Sequence, residues 1–180
     1  MRILIAAALV ATPAAGAVTV FGSTDARLCY EAAESDDPPS VSDIGVCTNA
    51  LAREGLGRYE TTATLVNRGI LKLRRGDGAE AMADFDAALR NDPAQPEALL
   101  NKGLAILRIG GSAETALPLL DRAIAGHTDK LALAYYGRGL ANEALGRVPA
   151  AYRDYSKASV LDPKWPAPKE ELARFSVRSK

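Results

Sequence analysis

Histidine is nearly missing from this 180-residue chain: His127 stands alone, beside two cysteines, two methionines and one tryptophan. Two thiols and one imidazole fall short of the four ligands of a usual metal site, so no metal centre is expected. His127 lies in the polar stretch Gly126-His127-Thr128-Asp129; a lone loop histidine there reads as a solvated residue rather than a catalyst. Excess charge of either sign is also missing, with 22 Lys+Arg against 22 Asp+Glu. No overall field draws the chain toward nucleic acid or an anionic membrane surface. Aromatic residues make up 6% and β-branched runs are rare, whereas alanine and leucine abound, a helix-bundle composition. No apolar run approaches the roughly 20 residues of a spanning helix. Gly76-Asp77-Gly78 and Gly110-Gly111-Ser112 follow no strand and are turns between helices, not phosphate loops. Asp84, Asp86 and Asp154 fall at helix offsets that read as a solvated face. With no convergent titratable cluster, neither an enzyme nor a cofactor site is expected.

What the chain does have is a repeat. The first unit runs Leu65-Val66-Asn67-Arg68-Gly69, then Gly76-Asp77, Ala81, Phe85, Ala88 and Asp92-Pro93. The second runs Leu99-Leu100-Asn101-Lys102-Gly103, then Gly110, Ala116, Leu120 and Ala123. The third runs Tyr135-Tyr136-Gly137-Arg138-Gly139, then Gly146-Arg147, Ala151, Tyr155, Ala158 and Asp162-Pro163. Equivalent residues recur about every 34 to 36 positions, the period of a stacked helix-turn-helix array. Glycine inside a helix costs roughly 1 kcal/mol relative to alanine. Gly69, Gly103 and Gly139 in equivalent places therefore point to a packing reason, the close approach of a second helix carrying Ala81, Ala116 or Ala151. Pro93 and Pro163 end second helices. The middle unit departs from its neighbours. Each of its links is one residue longer, it has no terminal proline, and Pro118 lies in its second helix. Thr115 read as the N-cap places Pro118 in the first turn, where its missing N–H does no harm.

These units resemble the tetratricopeptide repeat (TPR) family over Thr62 to Pro163. The resemblance implies an all-α, right-handed helical solenoid whose first helices line a concave surface that binds a protein or peptide.

The flanks add three segments. Residues 1–17 hold Arg2, an apolar run Ile3–Ala11, Pro13 and the small residues Ala15-Gly16-Ala17. This reads as a signal peptide cut after Ala17, placing the protein in the periplasm or outside the cell, with no membrane span in the mature chain. Residues 18–58 read as a degenerate first hairpin: a helix Thr24–Glu34, a break at Ser35–Ser40, and a helix Val41–Glu54. Cys29 and Cys47 lie about one and a half turns from that break, hence at one height in an antiparallel pair. In an exported chain they are expected to form a disulfide. Residues 59–163 hold the three units, and 164–180 hold Trp165 and a short amphipathic helix around Glu170, Glu171, Leu172 and Phe175. That helix either caps the last unit or lies in the groove as a lid.

On the first helices, Val66, Asn67, Ile70 and Leu73, then Leu100, Asn101, Leu104 and Leu107, then Tyr136, Gly137, Leu140 and Glu143 form one stripe. It is the expected partner groove. Asn67 and Asn101 stack one unit apart, and a carboxamide carries donors and an acceptor for an extended backbone. The alternative is that the aliphatic residues pack against each other and against the C-terminal helix. The resemblance also implies a comparison with TPR domains that clamp a C-terminal carboxylate with lysine on these first helices; here Val66, Leu100 and Tyr136 stand in such places, which disfavours a clamp. The expected function is a non-catalytic interaction scaffold; the competing one is a structural subunit of an envelope or homo-oligomeric assembly.

Overall fold

The computed structural model describes residues 16–19, 24–53 and 55–176. Of the expected signal peptide, residues 1–15 lie outside the described residues. Every regular element among the described residues is helical. α1 (Thr24–Glu34) and α2 (Val41–Arg53) form the first hairpin. α3 (Arg58–Arg75) pairs with α4 (Gly78–Asn91), α5 (Pro96–Arg108) with α6 (Ala113–Ala125), and α7 (Leu131–Ala144) with α8 (Val148–Leu161). α9 (Ala167–Ser176) packs on α8.

Local chemistry sets these boundaries. Gly76, Gly110 and Gly146 take φ of 96°, 76° and 71°. In each case the next N–H reaches back six residues inclusive: Asp77 to the Lys72 carbonyl, Gly111 to Ile106 and Arg147 to Asn142. This left-handed closure satisfies the carbonyls a helix end leaves open. Asp92 and Asp162 end α4 and α8, and their carboxylates accept from Ala94 N–H and from Lys164 and Trp165 N–H, which holds the turns around Pro93 and Pro163. α6 ends without a proline because His127, at φ 58°, plays the glycine's part: Thr128 N–H bonds the Ala123 carbonyl. The start of α6 corrects the sequence reading. Ser112, not Thr115, is the N-cap, so Pro118 lies inside the helix. The Gly110-Gly111 closure is complete by Gly111, which frees Ser112 to begin the next helix at once.

The repeated glycines are seams. A Cβ on Gly69 would stand 2.5 Å from Phe85 Cε1, and one on Gly139 would stand 2.6 Å from Tyr155 Cε1. Both aromatic rings are fully buried against the bare backbone. Two buried clusters run through the array. One joins the first hairpin to α3 and α4; the other spans α5 to α7 and reaches Trp165 and Ala167. Cys29 and Cys47 are bonded to each other at 2.05 Å inside the first cluster. Closing a loop of this size contributes about 3 kcal/mol in the chain-entropy account.

Asp84 and Asp154 are a second correction. Each is only 4% exposed, not on a solvated face. Arg68 grips Asp84 with two parallel bonds of 2.9 and 2.6 Å, and Lys72 adds a contact at 2.8 Å. Two units on, Arg138 holds Asp154 in the same fork at 3.0 and 2.7 Å, with Asn142 donating to Asp154 at 2.9 Å. A carboxylate is tolerated at such depth only when fully paired. The middle unit has Lys102 and Leu119 at the matching places, and Lys102 turns instead to Asp86 of the preceding unit. The middle unit thus lacks this buried pair and carries the interior proline as well.

Candidate functional site

Successive first helices touch one another, α1 to α3 to α5 to α7, while each second helix packs mainly against the first helices on either side of it. First helices that converge while second helices splay make a curved stack with α3, α5 and α7 on its inner side.

The predicted stripe divides into three parts. Val66, Ile70, Leu73 and Leu100 are buried within the two core clusters and form the floor. Leu104, Leu107 and Leu140 are half-buried. Tyr136 and Glu143 are engaged by α9 and the turn before it. The Tyr136 ring lies 4.7 Å from Trp165 and 5.6 Å from Tyr155, and its hydroxyl bonds Glu171 at 3.4 Å. Glu143 accepts from the Tyr155 hydroxyl at 2.8 Å and pairs with Arg174. α9 therefore covers this end of the stripe. Burial, reinforced by Glu171, pushes the Tyr136 hydroxyl up to about 12. Burial also raises the Glu171 carboxyl, against the opposing pull of Arg174, and raises Tyr155 beside Glu143. These groups are adapted to a closed interface.

Asn67 and Asn101 are both fully buried, and their partners are backbone. Val18 N–H donates to Asn67 Oδ1 at 2.7 Å, and Asn67 Nδ2 donates to the Val18 carbonyl at 2.9 Å. Asn101 Nδ2 donates to the Gly16 carbonyl at 3.3 Å and to the Glu97 carbonyl at 2.8 Å. Residues 16–19 thus return across the inner face, where Val18 and Gly16 meet the two carboxamides. In an extended chain the N–H and C=O of one residue share an edge, and the same edge recurs two residues on. One carboxamide can therefore pair with both groups of a residue, and a second, one unit away, meets the residue two positions earlier. In the third unit the equivalent place is Gly137, where the ladder stops; a Cβ there would meet Leu104 Cδ2 at 2.5 Å.

Sequence reasoning missed the walls around this segment. The Tyr59 hydroxyl donates to the Thr19 carbonyl at 3.2 Å. The stem of Lys130 lies against Gly16, where a Cβ would meet Lys130 Cγ at 2.9 Å and Glu97 Cγ at 3.4 Å. Lys130 Nζ reaches Glu34 at 3.5 Å. None of these residues repeats with the period of the array, so periodicity carried no signal for them. Among the described residues no group of three or more His, Cys, Asp or Glu is placed to hold a metal ion, and no helix is long and apolar enough to cross a membrane.

Comparison with known proteins agrees with this architecture. No curated protein matches the chain. Among solved structures, the first TPR domain of human RPAP3 is similar at 25% identity and a TM-score of 0.60, covering 67% of this chain and 92% of that one. MamA (41-end) from Desulfovibrio magneticus RS-1 is similar at 26% identity and a TM-score of 0.63, covering 76% and 74%. A MamA RS-1 double mutant gives 26% and 0.64, covering 77% and 75%. The family model described as tetratricopeptide repeat matches residues 66–130 and 110–166. With more than half of its length matched and an all-helical stack of hairpins in register, the chain belongs to the tetratricopeptide repeat family.

Proposed function

We propose that this protein is a non-catalytic interaction scaffold that takes an extended stretch of a partner protein along the inner face of α3 and α5. The observation that carries this reading is the Asn67 carboxamide, fully buried and paired with both the N–H and the C=O of one residue, Val18. Such a pair recognises backbone and leaves the choice of partner to the flanking side-chain seats. Leu104 and Leu107, half-buried on α5 beside this track, supply an apolar rim for a partner's side chains. The buried Cys29–Cys47 bond supports export to an oxidising compartment, the periplasm or the exterior.

The test is capture from a defined library of extended peptides by the purified chain, with Asn67→Ala and Leu104→Lys as comparisons. Leu104→Lys is expected to lose at least about tenfold in affinity, roughly 1.4 kcal/mol, because a charge enters the apolar rim; Asn67→Ala loses the same grip for Val18 and for a partner, so its loss is smaller. Circular dichroism checks that each variant remains folded. Unchanged capture by both variants moves the site away from α3 and α5.

A further inference from the structure

We propose that residues Gly16–Thr19 are a built-in, displaceable occupant of the peptide track, and that the partner is an uncharged extended segment with a small residue two positions before a β-branched one. This rests on the reading of the inner face as a peptide site.

Four observations converge. The first is the mode of holding. Val18 is gripped at both backbone groups by a side chain 49 residues away in sequence, and its own side chain is 6% exposed within the first core cluster. That cluster provides a β-branched seat beside Asn67. The second is the fit at Gly16. The Lys130 stem and Glu97 leave no room for a side chain there without displacement, so the seat beside Asn101 admits a small residue. The third is the closure over the segment: Lys130, just before α7, pairs with Glu34 at the end of α1. Two elements remote in sequence are thereby joined next to Gly16.

The fourth observation shows that the fit is incomplete. Asn101 is fully buried, yet its Oδ1 has no hydrogen-bond partner among the described residues, while the same atom of Asn67 is satisfied by Val18 N–H. A buried acceptor left open costs free energy. The segment satisfies one carboxamide in full and the other in half. An external strand that offers an N–H and a C=O to Asn101 as Val18 does to Asn67 completes both, and so has a margin with which to displace the internal one. These contacts are those of the uncut chain: in a chain cut after Ala17 the Gly16 seat is vacated, and only Val18 and Thr19 remain as the internal occupant, with an α-amino group in place of the Val18 amide.

The experiment uses the full 180-residue chain, kept unprocessed and oxidised, and two readouts. Hydrogen exchange at the Val18 amide reports whether the segment is seated. Fluorescence anisotropy with a labelled, amidated peptide copying residues 14–21 reports whether the track accepts a strand in trans. The Val18 amide is expected to be protected, and Asn67→Ala to release it. Val18→Asp, which places a charge in the apolar seat, is expected to free the track and bind the peptide about tenfold or more tighter than the unaltered chain, because apparent affinity scales with the open fraction. Gly16→Leu, which clashes with Lys130 instead, is expected to act in the same way and guards against an effect peculiar to Val18→Asp. An unprotected Val18 amide overturns self-occupancy, as does equal, Asn67-dependent binding of the peptide by the unaltered chain and both variants; in either case the peptide-site reading stands. A protected amide with no binding by either variant makes the segment a fixed part of the core and overturns both readings.

Discussion

His127 holds a left-handed backbone conformation at φ 58° that the three turns within hairpins assign to glycine. For an L-residue this conformation costs about 1–2 kcal/mol. His127 is exposed, and its backbone N–H donates to the Ile124 carbonyl. His127→Gly is therefore expected to stabilise the chain by about 1 kcal/mol, less the entropy that glycine returns to the unfolded state. Thermal melting monitored by circular dichroism checks this; a lower Tm would mean that the imidazole contributes more than its exposure suggests. At this scale the sequence was legible where a residue type has one structural meaning. Gly69 and Gly139 were identified as seams because bare backbone in a helix has few other uses. Asp84 and Asp154 were misread because their partners, Arg68 and Arg138, lie 16 residues upstream on another helix. The repeat of the same Arg/Asp spacing in two units was the available signal.

Elements were legible where punctuation is strong. α1 and the start of α2 fall at the expected residues because Asp36-Asp37-Pro38-Pro39 cannot continue a helix. The start of α6 was misplaced because nothing in the sequence distinguishes a helix beginning right after a glycine closure from one delayed by a turn. The C-terminal helix was left with two roles, and it has features of both: it packs on α8, and its side chains reach Tyr136 and Glu143 at one end of the stripe. These contacts are pH-dependent, with a definite sign. Tyr136 is raised from the usual 10 to about 12. The folded state thus keeps a proton that the unfolded chain releases, and its contribution to stability is full below pH 10 and lost as pH rises through 12. Tyr155 is raised as well, beside Glu143. Glu171 faces Glu143, Glu170, Arg174 and Tyr136 and is raised in turn. Its contribution is present below the ordinary carboxylate range and falls as pH rises through its elevated value. Both effects weaken the C-terminal end with rising pH. Melting followed from pH 8 to 12 together with tyrosinate absorbance is expected to show a steep loss of Tm above about pH 10. Tyr136→Phe is expected to make the decline shallower; an identical profile in that variant would assign the loss to other groups.

At the scale of the molecule, the period of about 34 residues gave the stacked architecture, because each hairpin repeats the same seam and buries it against the next. The alignment of Asn67 with Asn101 was equally visible. What periodicity does not encode is the return of residues 16–19 over the inner face, a contact made once, by a segment outside the repeat, across 49 and 85 positions.

The disulfide has a consequence beyond stapling the first hairpin. Cys29, Cys47 and Val18 share one buried cluster, and Cys29 Sγ lies 4.0 Å from the carbonyl oxygen of Thr64, one turn before the residue that grips Val18. This shared packing gives thiol chemistry and strand occupancy a route to be coupled, and any such coupling is reciprocal: whatever factor the bond contributes to seating the strand, the seated strand returns to the bond's resistance to glutathione. In the uncut 180-residue chain, Cys29→Ser/Cys47→Ser is expected to exchange the Val18 amide at least about tenfold faster than the oxidised form, a coupling of roughly 1.4 kcal/mol. Amide exchange by NMR in the two forms reads this directly, and equal rates would sever the link. Where the link holds, a compartment's redox poise sets how readily the cradle opens to a guest.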